Sequence, residues 1–219
     1  MPRCRGRTAG HSSLLLYLAS SNPGKLREFR EAAKLSGFQV EPVPGIQTLP
    51  SVIEDGRTFH ENASKKAVHY SRSVDGLVFA DDSGVCVDAL GGAPGVFSAR
   101  FAGEGASDKD NNRKLLEELR RVEAAGNASP GRRAHYVCVL ALARRGEILT
   151  RVEGRAAGLI LDDPRGSGGF GYDPYFYYPP LGKTFAELTP DEKFQVSHRG
   201  EAFRKLLGEL TRLRDAGEI

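Results

Sequence analysis

An apolar run, Leu14 to Ala19, passes into the turn-forming and polar residues Ser20-Ser21-Asn22-Pro23-Gly24-Lys25. These open without a spacer into a segment where Leu26, Phe29 and Ala33 recur on one helical face. A buried strand feeding straight into a helix is the first half of an α/β unit. Gly37 stands where a C-terminal cap belongs, and Phe38 to Val43 supplies the next strand. A second helix is expected from near Thr58, with Phe59, Ala63, Ala67, Tyr70 and Val74 as its apolar stripe. Leu77–Ala80 and Val85–Val87 predict two short strands on either side of Asp81-Asp82-Ser83-Gly84. A third helix follows Ser107 and buries Leu115, Leu116, Leu119 and Val122, and Ala124 to Ala134 reads as a surface loop. His135–Ala143, Ile148–Glu153 and Ala156–Leu161 predict strands, the first two joined across Arg145-Gly146. A last helix from about His198 buries Phe203, Leu206, Leu207, Leu210 and Leu213. Helices interleaved with strands early and hairpin-like strands late predict an α/β protein whose mixed sheet carries helices on its faces.

Composition removes several classes of function. The 219 residues carry 31 Lys+Arg against 28 Asp+Glu, a net charge of +3, and the charges are mixed along the chain. Basic runs are no longer than pairs such as Arg132-Arg133, so neither nucleic acid nor a membrane surface is an expected partner. The longest apolar run, Tyr136 to Ala143, falls far short of the about 20 residues that cross a bilayer as a helix. Arg3, Arg5 and Arg7 ahead of Leu14 imitate a signal peptide, but the apolar stretch is shorter than the usual core of about 7–15 residues. Residues 1–13 are therefore read as a disordered basic leader, residues 14–219 as one domain, and the protein as cytoplasmic. The three cysteines, Cys4, Cys86 and Cys138, are too scattered for a disulfide framework or a zinc site.

Chemistry concentrates in a few segments. Ser20 to Lys25 has the layout of a phosphate cradle, since a helix N-terminus attracts anions; Lys25 there sits at the unfavourable end of the dipole unless an anion joins it. An ordinary turn with a solvated lysine has the same sequence. Asp81-Asp82-Ser83-Gly84 sets adjacent carboxylates at a predicted strand end, where one faces a cleft and binds a hard cation, or both are solvated in a turn. Glu61 is the candidate second acid, yet Thr58-Phe59-His60-Glu61 also fits a capping box, as do Ser107–Asp110 and Thr189–Glu192. In Gly168-Gly169-Phe170-Gly171-Tyr172-Asp173-Pro174 the glycines permit close backbone approach, and the aromatics stack on a base or plug the core. Lys193, His198 and Arg199 bring cationic donors to a helix start. Together these segments describe a nucleotide phosphate site with a metal.

Taken in order, Ser20 to Lys25, Thr58 to Ala63, Ala80 to Gly84, Leu90 to Arg100, Gly169 to Pro174 and Ser197 to Arg199 closely resemble the motifs of the inosine triphosphate pyrophosphatase family. The likeness runs from Leu16 to about Leu207. It implies an elongated mixed β-sheet flanked by helices, two lobes around a central nucleotide-binding cleft, and a homodimer. The implied reaction is Mg²⁺-dependent cleavage of aberrant purine nucleoside triphosphates (ITP, dITP, XTP) to monophosphate and pyrophosphate. Carried over, Ser20, Ser21, Asn22, Pro23, Gly24 and Lys25 hold the triphosphate; Asp82 is the essential acid and a metal ligand, with Glu61 joining it. Ser83 touches substrate; Phe170, Gly171, Tyr172 and Asp173 line the nucleoside pocket; Lys193, His198 and Arg199 contact base or phosphate. Hypoxanthine and xanthine present an acceptor at C6 where adenine presents a donor, so Arg199→Ala is expected to narrow ITP/ATP discrimination more than it harms folding. A related pyrophosphatase for modified pyrimidine triphosphates should lack the Phe170–Asp173 and His198–Arg199 motifs; a silent nucleotide sensor would not need intact acids and lysines.

Overall fold

The computed structural model describes residues 14–34, 36–126 and 132–219. The basic leader with Cys4, and part of the expected loop at 124–134, lie outside the described residues. In chain order the elements are β1 (Leu14–Leu18), α1 (Pro23–Ala33), β2 (Phe38–Pro42), α2 (Phe59–Tyr70), β3 (Leu77–Val87), α3 (Asp108–Ala124), β4 (Arg133–Arg144), β5 (Glu147–Ile160), β6 (Phe176–Tyr178), β7 (Lys183–Thr184), α4 (Pro190–Val196) and α5 (His198–Asp215). They build one seven-stranded sheet of order β2-β1-β3-β4-β5-β6-β7. β1 runs parallel to β2 and β3, and every later pairing is antiparallel, which makes the sheet mixed.

Two expectations are corrected. Asp81 to Gly84 is no turn: β3 is one unbroken strand of 11 residues, paired with β4 from Val78↔Ala143 to Val87↔Ala134. The polar tetrapeptide stays extended because β4 satisfies its backbone and cations from three helices pair with its two carboxylates. Likewise Gly154 does not divide two strands but lies inside β5, where a Cβ would strike the backbone of α5 at His198 and Ala202. The glycine lets the start of α5 lie directly on the sheet, and that fixes where His198 and Arg199 stand.

Alternation along β3 explains the core. On one face Leu77 and Phe79 join Phe29 of α1 and Phe203 and Leu206 of α5; farther along, Val85 and Val87 join Leu115 and Leu119 of α3 with Tyr136, Phe176 and Phe185. Asp81 and Ser83 interrupt this ladder between the two clusters. On the opposite face Val78 and Ala80 pack on Ala63 and Ala67 of α2, and the next residue on that side is Asp82. The cleft between the two lobes therefore opens where the apolar pattern of β3 breaks. β1 ends beside it: its last partner on β3 is Phe79, while β2 lies on its other side. This is a topological switch point with α1 and α2 on opposite faces, the place where open α/β sheets receive ligands.

Candidate active site

A cavity of about 620 Å³ fills this crevice. At one end Asn22 caps α1 through its Oδ1, which accepts from the Gly24 and Lys25 N–H groups at 2.8 and 3.1 Å, while Leu26 N–H donates to the Asn22 carbonyl and Pro23 has no N–H. The helix end thus offers no free donors, contrary to the simplest cradle. An anion there meets Ser20, Ser21, the Asn22 side chain and the Lys25 ammonium, all of which line the cavity. Pro23 and Gly24 do not line it; Gly24 packs against Phe170, whose Cδ1 lies 2.8 Å from where a Cβ would stand.

The two aspartates have opposite fates. Asp81 turns toward α1 and α5, wholly buried, where it pairs with Lys25 and Arg199. Its burial would raise the carboxyl, but those two cations outweigh it and hold the group far below the usual carboxylate range. Asp82 turns toward α2 and lines the cavity. Lys66 Nζ is 3.3 Å from its Oδ1, and its Oδ2 is buried with no hydrogen-bond partner. Burial, helped by the neighbouring Glu54 and Asp81 charges and opposed by Lys66 and Lys25, pushes Asp82 up to about 6.

The second acid here is Glu54, not Glu61. Glu54 binds Lys66 Nζ at 2.9 Å and lines the same cavity. Burial raises its carboxyl, Lys66 outweighs that, and the net shift is downward, so Glu54 stays ionised beside Asp82. Glu61 is exposed at the start of α2, accepts from Arg57 N–H at 2.6 Å, and lies outside the cavity; Thr58 Oγ1 accepts from Glu61 N–H as in a cap. Sequence reasoning missed both Glu54 and Lys66. Lys66 did leave a signal, a lysine among Ala63, Ala67 and Tyr70 on the buried stripe of α2. Glu54 sits in an irregular loop and left none.

Beside Gly24, Phe170 lies over Lys193 and Arg199, with ring-centroid distances of 5.1 and 5.3 Å to the two cations. Asp173 is buried and accepts from Phe170 N–H at 2.8 Å and Lys193 Nζ at 2.7 Å. Gly169 is needed beside it, since φ is +70° and a Cβ would collide with the Asp173 carboxylate. Gly171 is anchored to α3 by Asp108 and Asn112. Tyr172 lines the cavity but spends its hydroxyl on the Ser98 carbonyl at 2.7 Å, so it braces the lobe. Tyr172 thus takes the structural reading of this loop, while Phe170 lines the cavity. His198 stacks on Tyr136 at 4.4 Å with its Nδ1 buried and unpartnered; burial, with Arg199 and Lys193 nearby, keeps the ring neutral.

Glu28 of α1, another residue missed in the sequence, accepts from both Lys193 and Arg199. Arg199 also donates to Asp81 through Nε at 3.2 Å and to Ser83 Oγ through Nη2 at 2.9 Å. The guanidinium has five N–H groups, so two remain for a ligand. Lys193 faces a neighbouring cavity of about 840 Å³, and Arg199 alone lines both. Lys25, Asp81, Arg199, Glu28, Lys193 and Asp173 thus form a chain of alternating charge from the phosphate-type loop to the aromatic loop.

A crevice at a switch point, lined by lysines and acids and by aromatic rings with neutral and cationic donors, gives this α/β protein a site whose chemistry suits an anionic ligand carrying a ring. The chain belongs to the Ham1 family, which it matches over residues 16–209. It is 48% identical over 207 residues to a dITP/XTP pyrophosphatase of Acidobacterium capsulatum, covering 90% of this chain and 98% of the relative. A dITP/XTP pyrophosphatase of Bacillus subtilis is 44% identical over 189 residues, 86% of this chain and 93% of that one. Among solved structures, a HAM1 protein from Coxiella burnetii superposes with a TM-score of 0.79 at 40% identity, covering 91% of this chain and 99% of that one.

Proposed function

We propose that this chain hydrolyses dITP, XTP and ITP to the nucleoside monophosphate and pyrophosphate, removing aberrant purines from the nucleotide pool. Relatives bearing the name dITP/XTP pyrophosphatase over nearly the whole chain support the reaction. The observation that carries it is Asp82, a desolvated carboxylate with one unpartnered oxygen, on a cavity that also holds Lys25, Lys66, Phe170, His198 and Arg199.

Mg²⁺ is part of the proposal. It takes hard oxygen ligands and commonly uses one or two carboxylates, leaving its other positions to water and substrate phosphates. The free Asp82 oxygen beside ionised Glu54 fits that habit, and among the described residues no larger cluster of His, Cys, Asp and Glu competes for it. When bound, the ion supplies neutralisation of the phosphate oxygens and a lowered pKa for water. The protein's own groups do the rest. Lys25 and Lys66 balance charge on the triphosphate and the departing pyrophosphate. Water attacks the α-phosphorus in line, the bond to the bridging oxygen of the β-phosphate breaks, and the water's proton passes to Asp82. In the metal-free site burial raises this carboxyl to about 6, so Asp82 is a stronger base than an ordinary aspartate. In ¹⁸O-water the label is expected in the monophosphate; label in pyrophosphate overturns this direction of attack. At the base end, Phe170 stacks on the purine while the spare N–H groups of Arg199 and the His198 ring recognise the C6 oxygen.

Pyrophosphate release from dITP, XTP, ITP, ATP, GTP, UTP and dTTP at fixed Mg²⁺ tests the reading. Strong turnover of the first three, abolished by EDTA, supports it; turnover of pyrimidines instead, or tight ITP binding without turnover, overturns it. Two further outcomes are expected. Glu54→Gln should raise the Mg²⁺ requirement about tenfold while Glu61→Gln leaves it unchanged, read from Mg²⁺ titrations of the rate. Because the free enzyme protonates Asp82 below about pH 6, kcat/KM at low Mg²⁺ should fall between pH 7 and pH 5. Raising Mg²⁺ should move that limb to lower pH, as proton and cation compete for one oxygen.

A homodimer and a cytoplasmic location complete the proposal. Among the described residues no helix is long and apolar enough to cross a membrane, Cys86 and Cys138 are free thiols, and Phe97 and Ile53 expose apolar side chains for a partner to cover. Sedimentation at twice the 23.8 kDa chain mass is the expected result.

A further inference from the structure

Asp81 lines neither cavity, yet three of its four side-chain partners do. Its Oδ1 accepts from the Lys25 ammonium and from Ser83 Oγ at 3.1 Å; its Oδ2 accepts from Arg199 Nε and Cys138 Sγ, each at 3.2 Å. Lys25 belongs to the phosphate end of the cleft and Arg199 to the base end, 174 positions on in the chain, and the side chain that joins them has no solvent exposure.

From this geometry we infer that Asp81 is a positioning residue that couples the two ends of the cleft, so that filling the phosphate subsite strengthens recognition of the base. The inference rests on the proposed reading of the cleft as a nucleoside triphosphate site. Lys25 has one ammonium to share between Asp81 and incoming phosphate oxygens. When phosphate draws it away, the Asp81 charge is left to Arg199, Ser83 and Cys138. The Nε–H bond then holds the guanidinium more firmly, with its spare N–H groups directed at the ligand. Neither end needs to move far, because one buried carboxylate serves both. Such coupling is reciprocal by thermodynamic necessity.

Titration calorimetry with two halves of the substrate tests it, using inosine and inorganic pyrophosphate in buffer with EDTA. In the wild-type chain, saturating pyrophosphate should tighten inosine by about fivefold, and inosine should tighten pyrophosphate by the same factor. Asp81→Asn keeps the shape and removes the charge, and pyrophosphate should no longer alter inosine affinity. Lys25→Met imitates the phosphate-loaded state, because Asp81 is already released; without pyrophosphate it should bind inosine as tightly as the pyrophosphate-saturated wild type. A residue that only supports the fold predicts weaker or unchanged inosine binding in that variant, and this result overturns the inference even where Asp81→Asn fails to fold. No mutual effect in the wild type, or an equal effect in Asp81→Asn, also overturns it. Uncoupled binding by a chain that hydrolyses ITP in Mg²⁺ defeats this inference alone; a chain that fails to hydrolyse ITP in Mg²⁺ defeats the proposed function as well.

Discussion

Asp82→Asn is expected to lower pyrophosphate release from ITP by about 10³-fold, the range lost with a positioned general base. It should do so without unfolding the protein. Asp82 is 6% exposed, and its carboxyl is raised from 3.8 to about 6, chiefly by burial. A group whose folded value exceeds its unfolded value contributes stability that is present at low pH and lost as pH rises through the folded value. Here that window runs from about 4 to about 6. Above it the native state holds an ionised, desolvated carboxylate, which a neutral amide does not impose. The variant should therefore melt at or above the wild-type temperature at pH 7, and the two curves should converge below about pH 4. Lys66 keeps Glu54 as its partner in the variant. A variant that melts well below the parent at pH 7, or retains activity within tenfold, would remove Asp82 from the centre of the reaction.

Arg199→Ala carries the second large effect, and on stability rather than selectivity. From the sequence it is expected to change base discrimination more than folding; the structure reverses that order. The side chain is 6% exposed and pairs with Glu28 and Asp81, which are themselves buried or nearly so. Burial opposes its charge, but Glu28 and Asp81 outweigh it and the net shift is upward. Truncation takes from Asp81 and Glu28 the cation they share, leaving Asp81 to Lys25 and Glu28 to Lys193. Breaking a buried pair this way costs about 3–5 kcal/mol. In a domain of this size that corresponds to a melting temperature lower by about 10 °C. Differential scanning calorimetry measures it directly, and a variant melting within about 2 °C of the wild type would show that the network does not hold the lobes together. Selectivity is better read with Arg199→Lys, which keeps the charge between the carboxylates and loses the forked donors. Its ITP/ATP ratio of kcat/KM should fall while its fold persists.

Much of the fold follows from local pattern. The strand that breaks at Ser20 and enters α1, the stripe of Ala63, Ala67 and Tyr70 on α2, and the stripe of Phe203, Leu206 and Leu210 on α5 all stand where periodicity put them. Capping residues behave as their spacing indicates: Ser107 with Asp110 and Thr189 with Glu192 close full boxes, whereas Glu61 reaches past Thr58 to Arg57. The errors also share a cause. A run of polar residues reads as a turn when distant neighbours are unseen, so local pattern ends a strand at Ala80, although β4 pairs with β3 from Val78 to Val87 and Lys25, Lys66 and Arg199 neutralise it from three helices.

Because a phosphate-type loop, paired acids, a glycine-aromatic loop and a cationic helix start are each local in the chain, the segments that line the cleft are marked in the sequence. The class of fold is marked there for the same reason, since apolar periodicity within ten or twenty residues decides strand from helix. Which partner each charged side chain meets is set by the assembled sheet. Continuity of β3 sends Asp81 to one face and Asp82 to the other, so one becomes the centre of an ion-pair network and the other faces the cleft. The loop before α2, and not its first turn, brings Glu54 to Lys66 and Asp82. An ion pair is defined by distance and burial, and partners such as Lys25 with Asp81, or Arg199 with Glu28, become neighbours only after the sheet has assembled between them.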